Sequence, residues 1–504
     1  MVDNNKFEIH PQPPTTIESC AQEQIHIPGS VQGFGSLISF NYEFVVTRVS
    51  KNIESIVGVE ASKVLGSRLD DFIHQKHLLR IKNALKLRQQ LLRFPLLDGS
   101  EVYALVQYLG NEFYADLLHE PKNLDPVLAT QKFVTALAKT TTQKQCAQAI
   151  TDEIRSLTGF DRVKLYKFDS EWNGEVIAES RRDDVPSYLG LHFPESDIPV
   201  QARELYIRNR VRVIADVDDA QSPIIQLPGL APLDLSFSFI RSVSPIHLQY
   251  LRNMGVMASL SISIFQSNKF WGLIACHHYS ARTFDTGDES FFKTVSMLAS
   301  ARMSAVRTVE EGAELKLSLD VLHNMVKHLE KGDPRLLLAD DIGLKKVVYS
   351  TGFAVVMDRR IIKRGLVPEE PILQNLVEWL ERGAETTFEC EDLPARFGAT
   401  IGEHTCGLLA SKIAGQERSW LMWFRVESPE EVKWAGDPYQ PKTSTEYGAR
   451  LYPRTSFAIW NETQRGKSLP WQSHEIKTAT ELANLLAGSK LVALPAGGQE
   501  QLSE

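Results

Sequence analysis

One acid in this chain is clamped between two prolines. In FPESDIPVQARELY (Phe193–Tyr206), Pro194 and Pro199 fix their own φ angles and push Phe193 and Ile198 toward extended backbone. Asp197 therefore rides a rigid turn that aims it at one point, which suits a surface turn and a binding loop equally well. His247, in SPIHLQY, reads most simply as a buried imidazole satisfied by backbone. His277 and His278 end an apolar strand pattern and so point to opposite faces, which leaves no two-histidine metal site. Arg212 in VRVIAD and Arg241 in FIRSVS are strand arginines, which on pattern alone face solvent. Asp183-Asp184 and Asp218-Asp219 lack a second ligand at metal-binding spacing and read as solvated loop acids. Tyr166, Tyr188, Phe193, Tyr206 and Tyr250 read as core aromatics.

These residues need elements to position them, and 504 residues at ~150 per domain allow roughly three domains. From Gln32 to Tyr108, short apolar runs at Ser36–Phe40, Phe44–Val49 and Val102–Tyr108 alternate with a helical stretch around His77–Leu92. After a linker at Lys122–Pro126, a helical run through Val134–Leu157 leads into strands at Arg162–Phe168, Glu175–Ser180 and Val211–Asp216. Ala258–Phe265 and Phe270–His277 form a hairpin turning at Ser267-Asn268. Thr286 followed by Glu289 has the form of a capping box opening a long helix. Its stripe is Phe292, Val295, Ala299, Val306 and Val309. Past Gly312 it resumes at Leu315, Leu319, Leu322, Met325 and Leu329, more than one compact domain can cover. Asp341–Val426 is a third α+β unit, Glu427–Gly466 shows no periodicity, and Ser473–Leu486 is helical.

Bulk properties narrow the class. Hydrophobic content of 43% and charged content of 23% are those of ordinary globular protein. A net charge of −8 argues against nucleic-acid or anionic-membrane partners. No apolar run approaches the ~20 residues of a membrane helix, and MVDNNKFEIH lacks a signal-peptide pattern. The five cysteines (Cys20, Cys146, Cys276, Cys390, Cys406) are scattered without zinc or disulfide spacing, as in a cytoplasmic protein with reduced thiols.

Six segments carry a family resemblance: Cys20 followed by IHIPGS (Ile25–Ser30), the FPESDIP loop, SPIHLQYLRNMG (Ser244–Gly255), WGLIACHH (Trp271–His278), WAGDP (Trp434–Pro438) and PRTSF (Pro453–Phe457). In that order they make the chain similar to the photosensory core of a bacteriophytochrome, over essentially its whole length. The resemblance implies an α+β fold of three domains with antiparallel sheets. It places an arm at 1–19, a PAS domain at 20–121, a bilin-binding GAF domain at 127–310 and a PHY domain at 311–472, with a tongue hairpin at about 427–466. An output helix and tail follow at 473–504, with Leu482, Leu485 and Leu486 opening a coiled-coil linker. It also implies a figure-of-eight knot between PAS and GAF, threaded near Val31, although QGFG (Gln32–Gly35) departs from the Q-P-H-G common in relatives.

The implied chemistry is that of a red/far-red photoreceptor. Cys20 attaches covalently to a vinyl group of biliverdin IXα, because the alternative attachment position beside the pocket histidine is Ile246 here. Asp197 (through its backbone carbonyl) and His247 accept from pyrrole N–H groups, and His277 contacts the D-ring carbonyl. Arg212 and Arg241 bind the two propionates, helped by Ser244, Ser259 and Ser261. Tyr166, Tyr188, Phe193, Ile198, Tyr206, Tyr250 and Met254 shape the cavity in which ring D rotates. Arg454 pairs with Asp197 in the dark, and Ser456 and Trp434 belong to the tongue. Light isomerises the bridge to ring D, the tongue refolds, and the long helices of a homodimer pass the signal to a histidine kinase or diguanylate cyclase output, or to a response regulator, with no catalytic domain expected in this chain. A cyclic-nucleotide-binding GAF module is the alternative, resting on Lys167-Phe168-Asp169.

Overall fold

In the computed structural model of this protein, three large sheets, antiparallel except for one parallel pairing in the second, and one long helix organise the chain. The residues described are 7–9, 23–84, 89–109, 112–121, 124–329, 348–357, 360–398, 401, 405–439, 443–444, 451–452 and 454–487. Cys20, most of the N-terminal arm, and the tail from 488 lie outside them. The chain divides into two compact units, one of residues 1–306 with 433–460 and the other of 307–432 with 461–504. Residues 433–460, assigned by resemblance to the third domain, thus pack within the first unit.

The first unit opens with β1 (Glu8–Ile9), β2 (Ser30–Val31), β3 (Ser36–Phe40), β4 (Val46–Ser50), β5 (Gln89–Pro95), β6 (Glu101–Leu109) and β7 (Glu112–Leu118). Their sheet also takes in Ser222–Gln226, which lies between β1 and β4 and pairs with β2 as well. The helix expected at His77–Leu92 stops sooner. It spans Gln75–Ala84, and residues 89–92 belong to β5, whose ladder with β6 overrides their local helical preference. Residues 8–9 of the expected arm form a sheet strand.

The second sheet comprises β8 (Arg162–Phe168), β9 (Gly174–Arg181), β10 (Leu191–Phe193), β11 (Val211–Ile214), β13 (Ala258–Gln266) and β14 (Lys269–His278), with Ser222–Gln226 as β12 between them in the chain. Its order is β11-β13-β14-β8-β9-β10, followed by Glu430–Ala435 and Ile459–Gln464. The segment that looked aperiodic thus gives this sheet two strands, the first parallel to β10 with Leu191 opposite Lys433 and His192 opposite Trp434. It also holds a separate short pair, Thr443–Ser444 with Leu451–Tyr452. The β13–β14 turn falls on Ser267 and Asn268, both at positive φ, as a two-residue hairpin turn requires. The helical run before β8 is two helices, Pro126–Ala138 and Gln143–Thr158. Thr142 accepts from the Gln145 amide and starts the second.

The long helix runs Thr286–Leu329 without a break at Gly312. Its capping box lies one residue earlier than the sequence pattern indicates. Asp285 accepts from the amides of Gly287 (2.8 Å) and Asp288 (3.1 Å), and Asp288 accepts from the Asp285 amide (3.1 Å). Aspartates satisfy the first turn here, and Thr286 is buried as its first residue. Phe292, Val295, Ala299 and Val306 are buried, while Val309 and Leu319 are exposed.

In the second unit, β15 (Gly352–Met357), β16 (Arg360–Gly365), β17 (Thr387–Cys390), β18 (Gly407–Lys412) and β19 (Ser419–Arg425) order as β16-β15-β19-β18-β17. Ala354 and Val356 face Leu373, Leu376 and Leu380 of the helix Glu370–Glu381. Phe353 and Val355 face the other way, toward the helix Ser473–Ala487. Leu482 and Leu486 are buried in that core, so two of the three leucines read as a coiled-coil linker pack against their own sheet, and Leu485 alone of the three is exposed.

Candidate functional site

Strand alternation sorts the second sheet into two faces. Val163, Leu165, Leu260, Ile262 and Ile274 enter the hydrophobic core, and their alternates present polar groups on the opposite face. Register places Arg212 opposite Ser261, and Ser261 opposite Ala275; one row over, Ile214 meets Ser259, and Ser259 meets His277. Two proline-started helices stand over this face. Val200–Arg208 follows Pro199, and Pro245–Asn253 carries His247 and Tyr250. Between them lies a cavity enclosing about 1410 Å³ of atom-free space, its mouth included.

Of the expected residues, Asp197, Ile198, Tyr206, Arg212, Arg241, Ser244, His247, Tyr250, Ser259, Ser261 and Arg454 line this cavity. Tyr166, Tyr188, Phe193 and Met254 do not; they form an adjoining aromatic cluster that also includes Ile198 and Tyr206. Tyr166 packs so closely over Gly174 that a Cβ there would fall 1.7 Å from its ring. His277 is buried beside Ser259 but off the lining, and His278 faces away, with Nδ1 2.8 Å from Asp161. Trp434 packs its ring 5.8 Å from His192, and Ser456 is exposed, while the Asp197 carboxylate is met by Tyr250 and Arg454. The acid pairs serve the scaffold: Asp184 holds Arg182, Asp218 holds Arg252, and Asp219 accepts from the Gly33 amide. A proline at position 33, as the family resemblance would lead one to expect, could not donate that bond.

The cavity is rich in cationic groups. Arg212 donates to the carbonyls of Arg241 (2.6 Å) and Ser242 (2.7 Å). Arg241, only 6% exposed, has buried Nε and Nη1 atoms with no partner among the described residues. Burial pushes Arg241 down to about 10 and Arg212 well below its ordinary value. Burial, then the neighbouring Arg212, lowers His247 to about 4, so its imidazole is neutral. An unpaired buried guanidinium beside serines is a site for an anion.

At the other end, the Asp197 Oδ2 accepts from the Tyr250 hydroxyl (2.9 Å) and from Arg454 Nη2. Both side chains of the ion pair are under a tenth exposed. Arg454 also donates to the Ala435 carbonyl, and Asn253 Nδ2 donates to the Arg454 carbonyl at 2.9 Å. Burial lifts the Asp197 carboxyl above its usual range, while Arg454, Tyr250 and Lys164 pull it back. Sequence reasoning missed Asn253, three residues after Tyr250 and so on the same helical face, and Glu23, which lines the cavity and accepts from Ser244 at 2.9 Å.

A largely antiparallel sheet thus bears a cation-lined cleft under two short helices, with a second sheet upstream. The sequence matches the PAS fold over 20–118, the GAF domain over 144–303 and the phytochrome region over 319–493. It is 34% identical to cyanobacterial phytochrome B of Nostoc sp. and 34% identical to a bacteriophytochrome of Pseudomonas aeruginosa. The alignments cover 94% and 93% of this chain, and 66% of each relative. The phytochrome photosensory core module of Stigmatella aurantiaca superposes with a TM-score of 0.84 at 32% identity, covering 95% of this chain and 98% of that one. The chain belongs to the phytochromes, a family of red/far-red photoreceptors, and has the PAS-GAF-PHY organisation of their photosensory core. It spans just under two thirds of the length of the first two relatives named.

Proposed function

We propose that this chain senses red and far-red light through biliverdin IXα attached to Cys20, a residue outside the described set. The observation that carries the reading is the unpartnered guanidinium of Arg241 in a cleft shared with Arg212, Ser259 and Ser261, which fits a molecule bearing two carboxylates. Biliverdin supplies a conjugated tetrapyrrole that isomerises on absorbing light. The protein's work is positional. Arg241 holds a propionate with its unsatisfied nitrogens, and Arg212 lines the same cleft while bracing the 241–242 backbone; neutral His247 and the Asp197 backbone carbonyl offer acceptors to ring N–H groups; the aromatic cluster with His277 bounds the moving end. Asp197 and Arg454 couple that end to the strands Glu430–Ala435 and Ile459–Gln464, which we assign as the refolding tongue.

We further infer a knot, supported by residues 30–32. They bond to Ser222–Pro223 on one side and to Ile240–Arg241 on the other. Domain limits of 20–121, 127–310 and 311–472 are proposed on the same resemblance. So are a cytoplasmic homodimer joined through the long helix and a downstream kinase or cyclase output. The test is to co-express the chain with biliverdin and compare it with Cys20→Ala. We expect a red-absorbing protein that converts under red light, reverts under far-red light, and loses denaturant-resistant pigment in the variant. A colourless wild-type protein would refute the reading.

A further inference from the structure

Lys164 sits in the middle of β8, only 5% exposed, on the same sheet face as Arg162 and Tyr166. Its ammonium stands 4.7 Å over the Phe193 ring and 5.2 Å over the Tyr188 ring. Among the described residues, none forms a hydrogen bond or ion pair with it. The nearby carboxylates are committed elsewhere. Glu179, opposite Lys164 on β9, binds Arg162 (3.0 Å), the Ser187 hydroxyl (2.6 Å) and the Tyr188 amide (3.1 Å). Asp197 is held by Arg454 and Tyr250. A buried lysine without a counter-ion is costly, and such a residue marks a place where a ligand is expected to supply the missing partner.

The sheet register says where that ligand would come from. Arg212, Ser261, Ala275 and Lys164 form one row across β11, β13, β14 and β8. Arg212 and Ser261 line the cleft, Ala275 is the smallest side chain in the row, and Lys164 lies three strand spacings, roughly 14 Å, from Arg212. A flat ligand anchored at the arginines and lying along the row reaches Lys164 with its far edge. Resting on the photoreceptor reading above, we propose that Lys164 is a further chromophore contact, its amine donating to a carbonyl at the end of the tetrapyrrole remote from the propionates and tuning its colour through its own protonation.

The groups facing this amine are Arg162 on its own strand, Glu179 on β9, Asp197 on the proline-bounded turn, Tyr188, Phe193, and Cys276 and His277 on β14. Burial, then Arg162, brings Lys164 down to about 7, against the pull of Glu179 and Asp197. Its charge can therefore change near neutrality, where an ordinary lysine stays protonated.

The experiment uses the biliverdin-loaded protein. Absorption before and after red light is recorded from mildly acid to alkaline pH for wild type, Lys164→Met and Lys164→Arg. The expected result is a wild-type spectral titration in the neutral-to-alkaline range that is lost in Lys164→Met. Lys164→Arg should keep the low-pH spectrum throughout. Three superimposable titrations, with equal photoconversion, would overturn the role of Lys164 while leaving the photoreceptor reading intact. A wild-type chain that takes up no biliverdin would overturn both.

Discussion

Arg212 and Arg241 share a cleft and a charge, yet their surroundings give them different tasks. Arg212 spends its guanidinium on two backbone carbonyls and so holds the 241–242 segment in place. Arg241 leaves two nitrogens without a partner among the described residues. Replacing each by methionine should therefore separate scaffold from ligand contact. Arg212→Met should destabilise the unloaded protein by about 1–3 kcal/mol, since two buried carbonyls lose a charged donor. Arg241→Met should leave the unloaded protein equally stable or more so, because an unpaired buried charge is gone, while weakening biliverdin uptake roughly tenfold or more. Denaturant melts without pigment, set beside loading curves with it, check both; equal loss of uptake with equal destabilisation would contradict the division. The family resemblance, not the motif segments, named both arginines, and both line the cavity. Nothing in a strand pattern says which nitrogens the backbone will satisfy, so their division of labour was not legible.

At the scale of elements, the turn at Ala435–Gly436 holds the far end of the site together. Gly436 has φ of +89°, and a Cβ there would meet the Ser456 carbonyl at 2.2 Å and Arg454 Nη1 at 3.1 Å. Its amide donates to the Ala458 carbonyl at 2.9 Å. Gly436→Ala must therefore push the 454–458 segment away and release Arg454 from Asp197. We expect it to reproduce the phenotype of Arg454→Ala, a loss of order 3–5 kcal/mol from the stranded Asp197 charge together with an incomplete photocycle. The double variant should be little worse than either single one, and fully additive effects would break the link between turn and ion pair. Local patterning found most strands of the second sheet and the hairpin at Ser267-Asn268, because both signals lie within a few residues. It missed β5, where pairing with β6 decides against a helix, the strand at 430–435, whose partner β10 lies more than two hundred residues upstream, and the strand at 459–464, which is recruited onto 430–435.

Across the whole molecule, the first unit is built from distant stretches of chain. Ser222–Gln226 completes the first sheet, and β7 of that sheet in turn holds the loop leading to Arg241. Asp116 is the fastener: its carboxylate accepts from the Ser238 hydroxyl (2.8 Å) and the Phe239 amide (2.7 Å), while Gln107 Nε2 donates to the Phe237 carbonyl. Complete burial lifts Asp116 from 3.8 to about 7, although Ser238 and Phe239 oppose the rise. A carboxyl whose folded value is raised favours folding when protonated. Its contribution is full below the unfolded value of 3.8 and is lost as pH climbs toward about 7. Buried His247, lowered to about 4, acts in the opposite sense as pH rises toward its ordinary value of 6.5, so the wild-type profile mixes the two. Asp116→Asn isolates the first. The asparagine can still meet Ser238 and Phe239 but carries no charge to bury. Relative to wild type, its stability should rise between about pH 4 and about pH 7 and then level off, measured by denaturant unfolding without pigment. A difference that stays constant across that range would mean that Asp116 is already ionised in the fold, and that the loop carrying Arg241 is held by a permanently charged carboxylate.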